Sequence, residues 1–209
     1  MGLVNLPFLR SLIRLDEIDS TSTFARRAAM EGGLGPLPAL IRARRQTAGR
    51  GRGNHVWWSD EGGLMFTLVM DPASHGLRFD HEPRLALAAA IALVDTIGPC
   101  QVGTALGVRW PNDVEANDRK VAGLLPERIE TPEGPRLLLG IGVNINSRLE
   151  SAPEEVRLMA TTVEAIRGRS VEADAFLADF LPLFADGLAL LGRDDPALIE
   201  RFNALCTLT

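Results

Sequence analysis

Residues 42–53 read Arg-Ala-Arg-Arg-Gln-Thr-Ala-Gly-Arg-Gly-Arg-Gly, a basic, glycine-rich stretch between two apolar segments. It contains five arginines and no acid, whereas the chain of 209 residues has 22 basic and 27 acidic side chains and a net charge of −5. Its glycines allow positive φ and close approach of the backbone to a ligand. Consecutive backbone amides can form an anion-binding nest, to which arginine adds forked donors suited to phosphate. The stretch therefore predicts a site for a phosphate-bearing ligand.

Three other interpretations of this basic stretch stay open. A run of charge is commonly a solvated surface. A dinucleotide-binding loop needs Gly-x-Gly-x-x-Gly at the start of a helix, but here the spacing differs and residues 54–58 (Asn-His-Val-Trp-Trp) are a poor helix start. An arginine-glycine segment followed by aromatic residues can bind RNA, although such segments are usually repeated. The acidic balance of the whole chain argues against a dedicated nucleic-acid binder.

The pattern on both sides of the stretch predicts an α+β domain, with a mixed β-sheet and helices packed against it. The order of elements is mixed rather than regularly alternating, which favours α+β over a doubly wound fold. Strands are predicted over 39–43, 64–70, 108–110 and 137–145, with a hairpin over 114–125 that turns at 116–118. Helices are predicted over 23–30, over 82–97 and from 160 onwards, with interruptions at Pro182 and Gly187. Pro126 predicts that the hairpin ends beside it.

Residues 109–113 (Arg-Trp-Pro-Asn-Asp) lie between a predicted strand and the hairpin. The pair Asn112 and Asp113 at a strand end can bind a cation, hold a ribose or orient a nucleophile. Proline, asparagine and aspartate also form ordinary turns, so the plain alternative is a turn without a function.

A lysine and two glycines stand out in the later strands. A two-residue period places Lys120 on one face of its strand with Ala122 and Leu124, where a buried lysine would need an anionic partner. A lysine at an exposed strand edge is the alternative. Gly140 and Gly142 share a face, and they leave room either for a slender ligand or for a closely packed helix.

Composition narrows the class of protein further. Cys100 and Cys206 form no Cys-x-x-Cys pair, so we expect no zinc site and two free thiols in a reducing cytosol. The N-terminus has no apolar core followed by a small-residue cleavage site, and no apolar run has the length of a membrane span. We therefore expect one domain over 1–209, located in the cytoplasm and not associated with a membrane.

These segments follow one another in an order that resembles the biotin–protein ligase family, specifically its catalytic domain. The resemblance covers about positions 15–150 and rests on 19–22, 46–52, Trp57, 109–113, 119–125 and 140–144. It implies a fold shared with lipoate ligases and similar to class II synthetases. It also implies two half-reactions, in which biotin and ATP form biotinyl-5′-AMP with Mg²⁺ and biotin then passes to a lysine of a biotin carboxyl carrier protein.

The resemblance also implies roles for individual residues. The first step joins two anions, so cations must offset their repulsion. The expected catalytic residues are Lys120, Arg52 and Asp113, the last orienting or deprotonating the carrier lysine. The expected biotin-binding residues are Ser20, Thr21, Ser22, Gln46, Gly49, Arg50, Gly51, Arg52, Trp57, Lys120, Gly123, Leu125, Gly140 and Gly142. The expected ATP and adenylate contacts are Arg50, Arg52, Asn112, Lys120 and Asn144, and no metal-ligating side chain is expected.

Several expectations concern the limits of the resemblance. Residues 53–55 (Gly-Asn-His) differ from the common continuation of the arginine loop. We expect no N-terminal helix-turn-helix, hence no DNA binding or repressor function, and no C-terminal β-domain. A homodimer is left open. The alternative functions are a lipoate or octanoate ligase or transferase, and a protein that binds biotin without transferring it.

Overall fold

The computed structural model describes residues 7–98 and 100–207. One sheet of seven strands has the order β1-β2-β3-β7-β6-β5-β4. The first two strands run parallel, and every other neighbouring pair is antiparallel. The predicted α+β class with a mixed sheet is confirmed. The strands are β1 (Ser11–Ile18), β2 (Ala39–Gln46), β3 (Leu64–Met70), β4 (Leu106–Arg109), β5 (Asp113–Ala116), β6 (Arg119–Thr131) and β7 (Gly134–Val143).

Helices cover both faces of this sheet. They are α1 (Thr21–Met30), α2 (Leu85–Ile97), α3 (Glu154–Met159), α4 (Val163–Arg167), α5 (Ala173–Gly192) and α6 (Pro196–Leu205). Strand side chains alternate between the faces. In β3, Leu64, Phe66 and Leu68 join the large core under α2 and α5, whereas Val69 joins a smaller core under α1. The α1 face is therefore only partly filled by apolar side chains, and the candidate site lies on it.

The predicted elements differ from the structure mainly at their ends. Strand β2 continues to Gln46, so the first part of the basic stretch is strand rather than loop. Helix α2 begins at Leu85, because a 3-10 turn over Phe79–Arg84 that contains Pro83 precedes it. Strand β1, with the sequence Ser-Leu-Ile-Arg-Leu-Asp-Glu-Ile, was not predicted at all.

Prolines and glycines interrupt strands and helices less often than the sequence predicts. Strand β6 continues through Pro126 to Thr131, because β5 pairs with β6 only as far as Gly123 and leaves one edge of the later residues free. Proline is tolerated at such an edge. Helix α5 likewise passes through Pro182 and Gly187 without a break, and Gly187 lies against Ala88 of α2.

Helix α5 is long and apolar enough, by length and composition alone, to cross a membrane. The sequence did not predict this. Phe176, Phe180 and Phe184 of this helix are fully buried, and they pack in the core beside α2 and β3. Its apolar side chains are therefore used inside the domain. Residues 1–6, which enter the expectation of no secretion signal, lie outside the described residues.

Candidate functional site

The candidate site is a cavity of about 340 Å³ on the α1 face of the sheet. Its floor is made of glycines that no other residue could replace without movement. A Cβ on Gly140 would lie 2.5 Å from Ser22 Oγ, and a Cβ on Gly142 would lie 2.4 Å from Trp57 Cε2. A Cβ on Gly123 would lie 3.0 Å from Trp57 Cζ3. The predicted shared face of Gly140 and Gly142 is confirmed, and Trp57 lies against the glycine floor.

One end of the cavity is a buried cluster of neutral polar groups. Thr67 Oγ1 donates to Thr21 Oγ1 at 2.9 Å and lies 3.1 Å from Ser22 Oγ. Thr21 extends the cluster to Gln46, because its backbone N and its Oγ1 both donate to Gln46 Oε1, at 2.7 and 3.1 Å. Ser20, the N-cap of α1, completes the wall. We call Ser20, Thr21, Ser22, Gln46 and Thr67 the hydroxyl cluster. All of them except Thr67 line the cavity and can exchange hydrogen bonds with a neutral polar ligand group, whereas Thr67 is fully buried behind them.

The parallel pairing of β1 and β2 brings the two halves of this cluster together. In this register Ile18 lies opposite Gln46. The pairing continues beyond the strands, where the backbone N of Thr47 donates to Ile18 O and that of Ala48 donates to Asp19 O, at 2.9 and 2.8 Å. The start of α1 and the end of β2 therefore lie at the same edge of the sheet.

The other end of the cavity carries Lys120, on a face that the sequence does not predict. The pairing of β5 with β6 shifts between Val114 and Glu115, which leaves Val121 as an extra residue. This bulge re-aims the lysine side chain. Lys120 Nζ lies 3.2 Å from the position of a Cβ on Gly123 and 5.6 Å from the Trp57 ring centroid. The prediction that Lys120 shares a face with Ala122 and Leu124 is wrong, because those two residues belong to the large core.

The anionic partner of this lysine is Asp113. Lys120 Nζ lies 2.7 Å from Asp113 Oδ1, although the angle is not that of a hydrogen bond, since the same oxygen is buried without a hydrogen-bond partner. Asn112 fastens the neighbouring backbone: its Nδ2 donates to Leu124 O at 2.9 Å, and its own carbonyl accepts from the backbone N of Leu124 at 2.8 Å. Residues 112 and 113 thus hold the start of β5 against β6 and line the cavity.

The arginines of the basic stretch are mostly paired within the chain. Four of the five form ion pairs with an acid from another element or loop: Arg42 with Asp174, Arg44 with Glu61, Arg45 with Glu17 and Arg50 with Glu127. Burial lowers the pKa of Arg42 below its usual value, and the nearby Arg14 lowers it further. The exception is Arg52, which is exposed and forms no ion pair with any residue in 7–98 or 100–207. The predicted phosphate contacts of the stretch were Arg50 and Arg52, and Arg50 is the one of these two that is paired with an acid. Phosphate binding by the stretch stays a prediction.

The glycine-rich part of the stretch folds into a tight turn beside the cavity. Arg50 pairs with Val56 as an antiparallel bridge, and the backbone N of Trp57 donates to Gly49 O at 2.9 Å. A Cβ on Gly49 would lie 2.5 Å from Trp57 O, so only glycine fits there. This glycine turn (residues 49–57) carries Arg50, Arg52 and Trp57 to the cavity wall.

A second cavity of about 450 Å³ adjoins the first on the far side of Trp57. It is lined by Lys120 and Asn144, among other residues. The Nδ2 of Asn144 donates to Thr161 O at 3.2 Å and to Lys120 O at 3.5 Å. Asn144 therefore supports the backbone of Lys120 and borders the second cavity rather than the first.

Most residues predicted for the site line the first cavity. They are Ser20, Thr21, Ser22, Gln46, Arg50, Gly51, Arg52, Trp57, Asn112, Asp113, Lys120, Gly123, Leu125, Gly140 and Gly142. Gly49 lies behind Trp57, and Asn144 lines the neighbouring cavity. The sequence missed Thr67 and Glu127. A lone threonine in the buried run Leu-Met-Phe-Thr-Leu-Val-Met could have indicated Thr67, but nothing local indicates the acid that pairs with Arg50.

Beyond the cavities, Arg109 forms a second charged group with Glu115. Its Nε donates to Glu115 Oε2 at 2.5 Å, and this bond raises the pKa of Arg109 above its usual value. Thr207 Oγ1 donates to the other oxygen, Glu115 Oε1, at 2.5 Å. This group fastens the last described residues to β4 and β5.

The fold and the cavity together define a domain with a cavity of small-molecule size. The cavity has a neutral polar recess at one end and a lysine–aspartate pair at the other. Comparison with known proteins gives the class a name. A profile described as the biotin/lipoate A/B protein ligase family matches residues 18–146, which is more than half of the chain. The chain therefore belongs to the biotin/lipoate A/B protein ligase family.

Individual relatives agree with this assignment. The chain is 33% identical over 175 residues to the bifunctional ligase/repressor BirA of Bacillus spizizenii, covering 83% of this chain and 52% of that protein. It is 35% identical over 150 residues to the biotin–[acetyl-CoA-carboxylase] ligase of Paracoccus denitrificans, covering 70% and 61% respectively. The chain thus spans about half to three fifths of the length of these curated relatives.

Solved structures show the same fold. Biotin protein ligase from Aquifex aeolicus in complex with biotin and ATP superposes with a TM-score of 0.78 at 27% identity, covering 95% of this chain and 79% of that chain. The enzyme from Leishmania major in complex with biotinyl-5-AMP gives a TM-score of 0.75 at 25% identity, covering 94% and 81%.

Proposed function

We propose that this chain is an ATP-dependent biotin–protein ligase, which forms biotinyl-5′-AMP and transfers biotin to a lysine of a carrier protein. One observation carries the proposal: a single cavity joins a buried hydroxyl cluster to an accessible Lys120–Asp113 pair. A slender molecule with a neutral polar head and a carboxylate tail matches that order of groups. The relatives named as biotin ligases, and the solved structures that hold biotin with ATP or biotinyl-5-AMP, support this choice.

In the first half-reaction, a carboxylate oxygen of biotin attacks the α-phosphorus of ATP. The bond from that phosphorus to the bridging oxygen breaks, and pyrophosphate leaves with the electron pair. Lys120 is placed between the two cavities and would attract both the carboxylate and the α-phosphate, while Arg52 is free to approach the phosphates. Fixed cations of this kind act on the charge that develops in the transition state.

In the second half-reaction, the ε-amine of the carrier lysine attacks the acyl carbon, the acyl–phosphate bond breaks and AMP leaves. The amine must lose a proton in this step, and Asp113 is the carboxylate nearest to Lys120 in the cavity wall. We propose that Asp113 orients the incoming amine and accepts that proton.

The resemblance to biotin ligases implies magnesium with ATP. Within 7–98 and 100–207, no group of three or more His, Cys, Asp or Glu side chains is placed to hold a metal ion. A magnesium ion that accompanies ATP would therefore be held mainly by the phosphates, with few ligands from the described residues. The roles proposed for Lys120 and Arg52 do not depend on it.

The proposal includes partners and location. The acceptor is the biotin carboxyl carrier domain of a carboxylase, as the names of two relatives suggest. We propose no DNA partner for the described residues, because the net charge is −5 and the basic stretch is largely paired within the chain. We propose the cytoplasm as the location, since Cys100 and Cys206 are free thiols, which is usual in a reducing compartment.

The test is biotin-dependent exchange of labelled pyrophosphate into ATP, with lipoate and octanoate as parallel acids. Exchange with biotin alone is the expected result, followed by a mass increase of one biotin on a supplied carrier domain. Exchange with lipoate or octanoate instead would contradict the proposed substrate. Binding of biotin without exchange would contradict the proposed reaction and favour a binding protein.

A further inference from the structure

The glycine turn is tied to the opposite side of the site by one carboxylate. Arg50 Nη1 and Nη2 donate to Glu127 Oε2 and Oε1 at 3.0 and 2.9 Å, which makes a two-pronged ion pair. Arg26 of α1 donates to the same Glu127 Oε1 at 2.9 Å. The Glu127 side chain is only 14% exposed. Solvent therefore screens its charge less than that of the other acids that pair with arginines of the basic stretch.

This pair reaches across the face of the sheet that forms the cavity floor. Residue 50 follows β2, Glu127 belongs to β6, and β3 and β7 lie between those strands. Neighbouring strands are about 4.8 Å apart, so the two anchored strands are separated by about 14 Å. The turn and the Arg50–Glu127 pair together therefore form a strap from β2 to β6 over the floor.

The strap lies over the hydroxyl end of the cavity. Glu127 is two residues beyond Leu125, which is on the same face of β6 and lines the cavity. Leu125 pairs with Gly140, and Gly140 is the glycine that lies against Ser22 of the hydroxyl cluster. Lys120 is at the other end of the cavity. The strap thus closes the end opposite the proposed reaction.

We propose that Glu127 is a positioning residue for the ligase reaction: it holds Arg50 so that the glycine turn stays closed over the hydroxyl end and retains biotin and biotinyl-5′-AMP. In this arrangement Arg50 is a clamp rather than a phosphate ligand. Of the two arginines in the glycine turn, only Arg52 is then available to the nucleotide. The inference rests on the proposed function for the identity of the retained ligand. The clamp itself rests only on the ion pair.

The test compares wild type with Glu127→Gln, which keeps the size of the side chain and removes its charge. Two controls match it. Glu61→Gln breaks the exposed pair with Arg44, also in the basic stretch, and Arg26→Gln removes the third member while leaving the fork intact. Thermal unfolding of all four proteins shows that each is folded.

The first readout is trypsin cleavage after Arg50 or Arg52 in the ligand-free proteins, quantified by mass spectrometry. We expect Glu127→Gln to be cleaved at least about fivefold faster than wild type, because losing a charge-assisted fork opens the turn. Both controls are expected to match wild type. Equal cleavage of wild type and Glu127→Gln would overturn the clamp, whatever the enzyme's activity.

The second readout separates retention from chemistry. We expect Glu127→Gln to release biotinyl-5′-AMP about tenfold faster, with an unchanged single-turnover rate of adenylation at saturating biotin and ATP. The wild-type release rate should rise with salt and the variant rate should not. A slower adenylation rate with unchanged release would contradict the role proposed for Glu127. Absence of pyrophosphate exchange in wild type would instead contradict the proposed function. The trypsin cleavage result would still show whether the Arg50–Glu127 pair holds the glycine turn closed.

Discussion

The two ends of the cavity are built on different principles. At the hydroxyl end, Thr21, Ser22 and Thr67 are at most 5% exposed and are joined by hydrogen bonds inside the protein. At the charged end, the Lys120 side chain is 38% exposed and is held by one carboxylate and by the Trp57 ring. A recess with fixed hydrogen bonds selects a ligand by shape and polarity, whereas an accessible cation serves a group whose charge changes during reaction.

The largest effect is expected from breaking the charged end. Lys120→Ala should lower biotin-dependent pyrophosphate exchange by about 10²–10³, because a fixed cation near the α-phosphate is lost. Arg119→Ala is the matched control, since Arg119 is the exposed neighbour, lies outside the cavity wall and donates to the Arg157 carbonyl at 3.1 Å. Equal losses in both variants would show that the effect is not local to the cavity.

The floor that joins the two ends gives the second effect. In Gly142→Ala, the new Cβ would overlap the Trp57 ring, so Trp57 must leave its place against β7. Overpacking costs about 1–3 kcal/mol, so biotin affinity measured by calorimetry should fall by about 10- to 100-fold. Gly33→Ala is the control, because its Cβ would have ordinary contacts and lies outside the cavity. Unchanged biotin affinity in Gly142→Ala would contradict the placement of Trp57 in the biotin site.

The third effect, which is smaller, is expected from a substitution at the hydroxyl end. Thr67→Val keeps the shape of the side chain and removes the hydroxyl between Thr21 and Ser22. A buried partner left unsatisfied costs about 1–3 kcal/mol, so the biotin Kd should rise about tenfold while the KM for ATP is unchanged. Thr47→Val, at an exposed threonine outside the cavity, should change neither value. A variant that alters the KM for ATP more than biotin binding would contradict the division between the two ends.

The smallest effect is expected at the paired arginines. Glu17→Gln breaks the exposed pair with Arg45, in which both side chains are more than half exposed. Exposed pairs contribute little to stability, so the variant should keep its melting temperature and its exchange rate within about twofold. A large loss of exchange would show that the arginines of β2 take part in ligand binding after all.

Part of the site could be predicted from the sequence, because it depends on patterns among neighbouring residues. Alternation along β7 predicted that Gly140 and Gly142 share a face. The hairpin pattern predicted a turn at 116–118, where Asn117 and Asp118 have positive φ. The order of short motifs indicated the family, which the profile over residues 18–146 confirms.

What the sequence did not predict depends on contacts between distant residues. A two-residue period cannot anticipate the extra residue Val121, so it placed Lys120 on the wrong face. The acids that pair with the basic stretch are as far away in the sequence as Asp174 and Glu127, so a count of charge within the stretch could not identify them. The free edge of β6 at Pro126 depends likewise on where β5 ends.

The parallel pairing of β1 with β2 has a consequence for how the pocket can change. Strand β1 contributes no residue to the cavity, yet its register against β2 decides where α1 begins relative to Gln46. A slip of two residues would keep every side chain on its face and move that start by about 6.6 Å. The proposed recognition of the biotin head group would thus depend on a border strand that lines no part of the cavity. Substitutions at Ile13 or Leu15, which pack under α1, are expected to change biotin affinity without a direct contact.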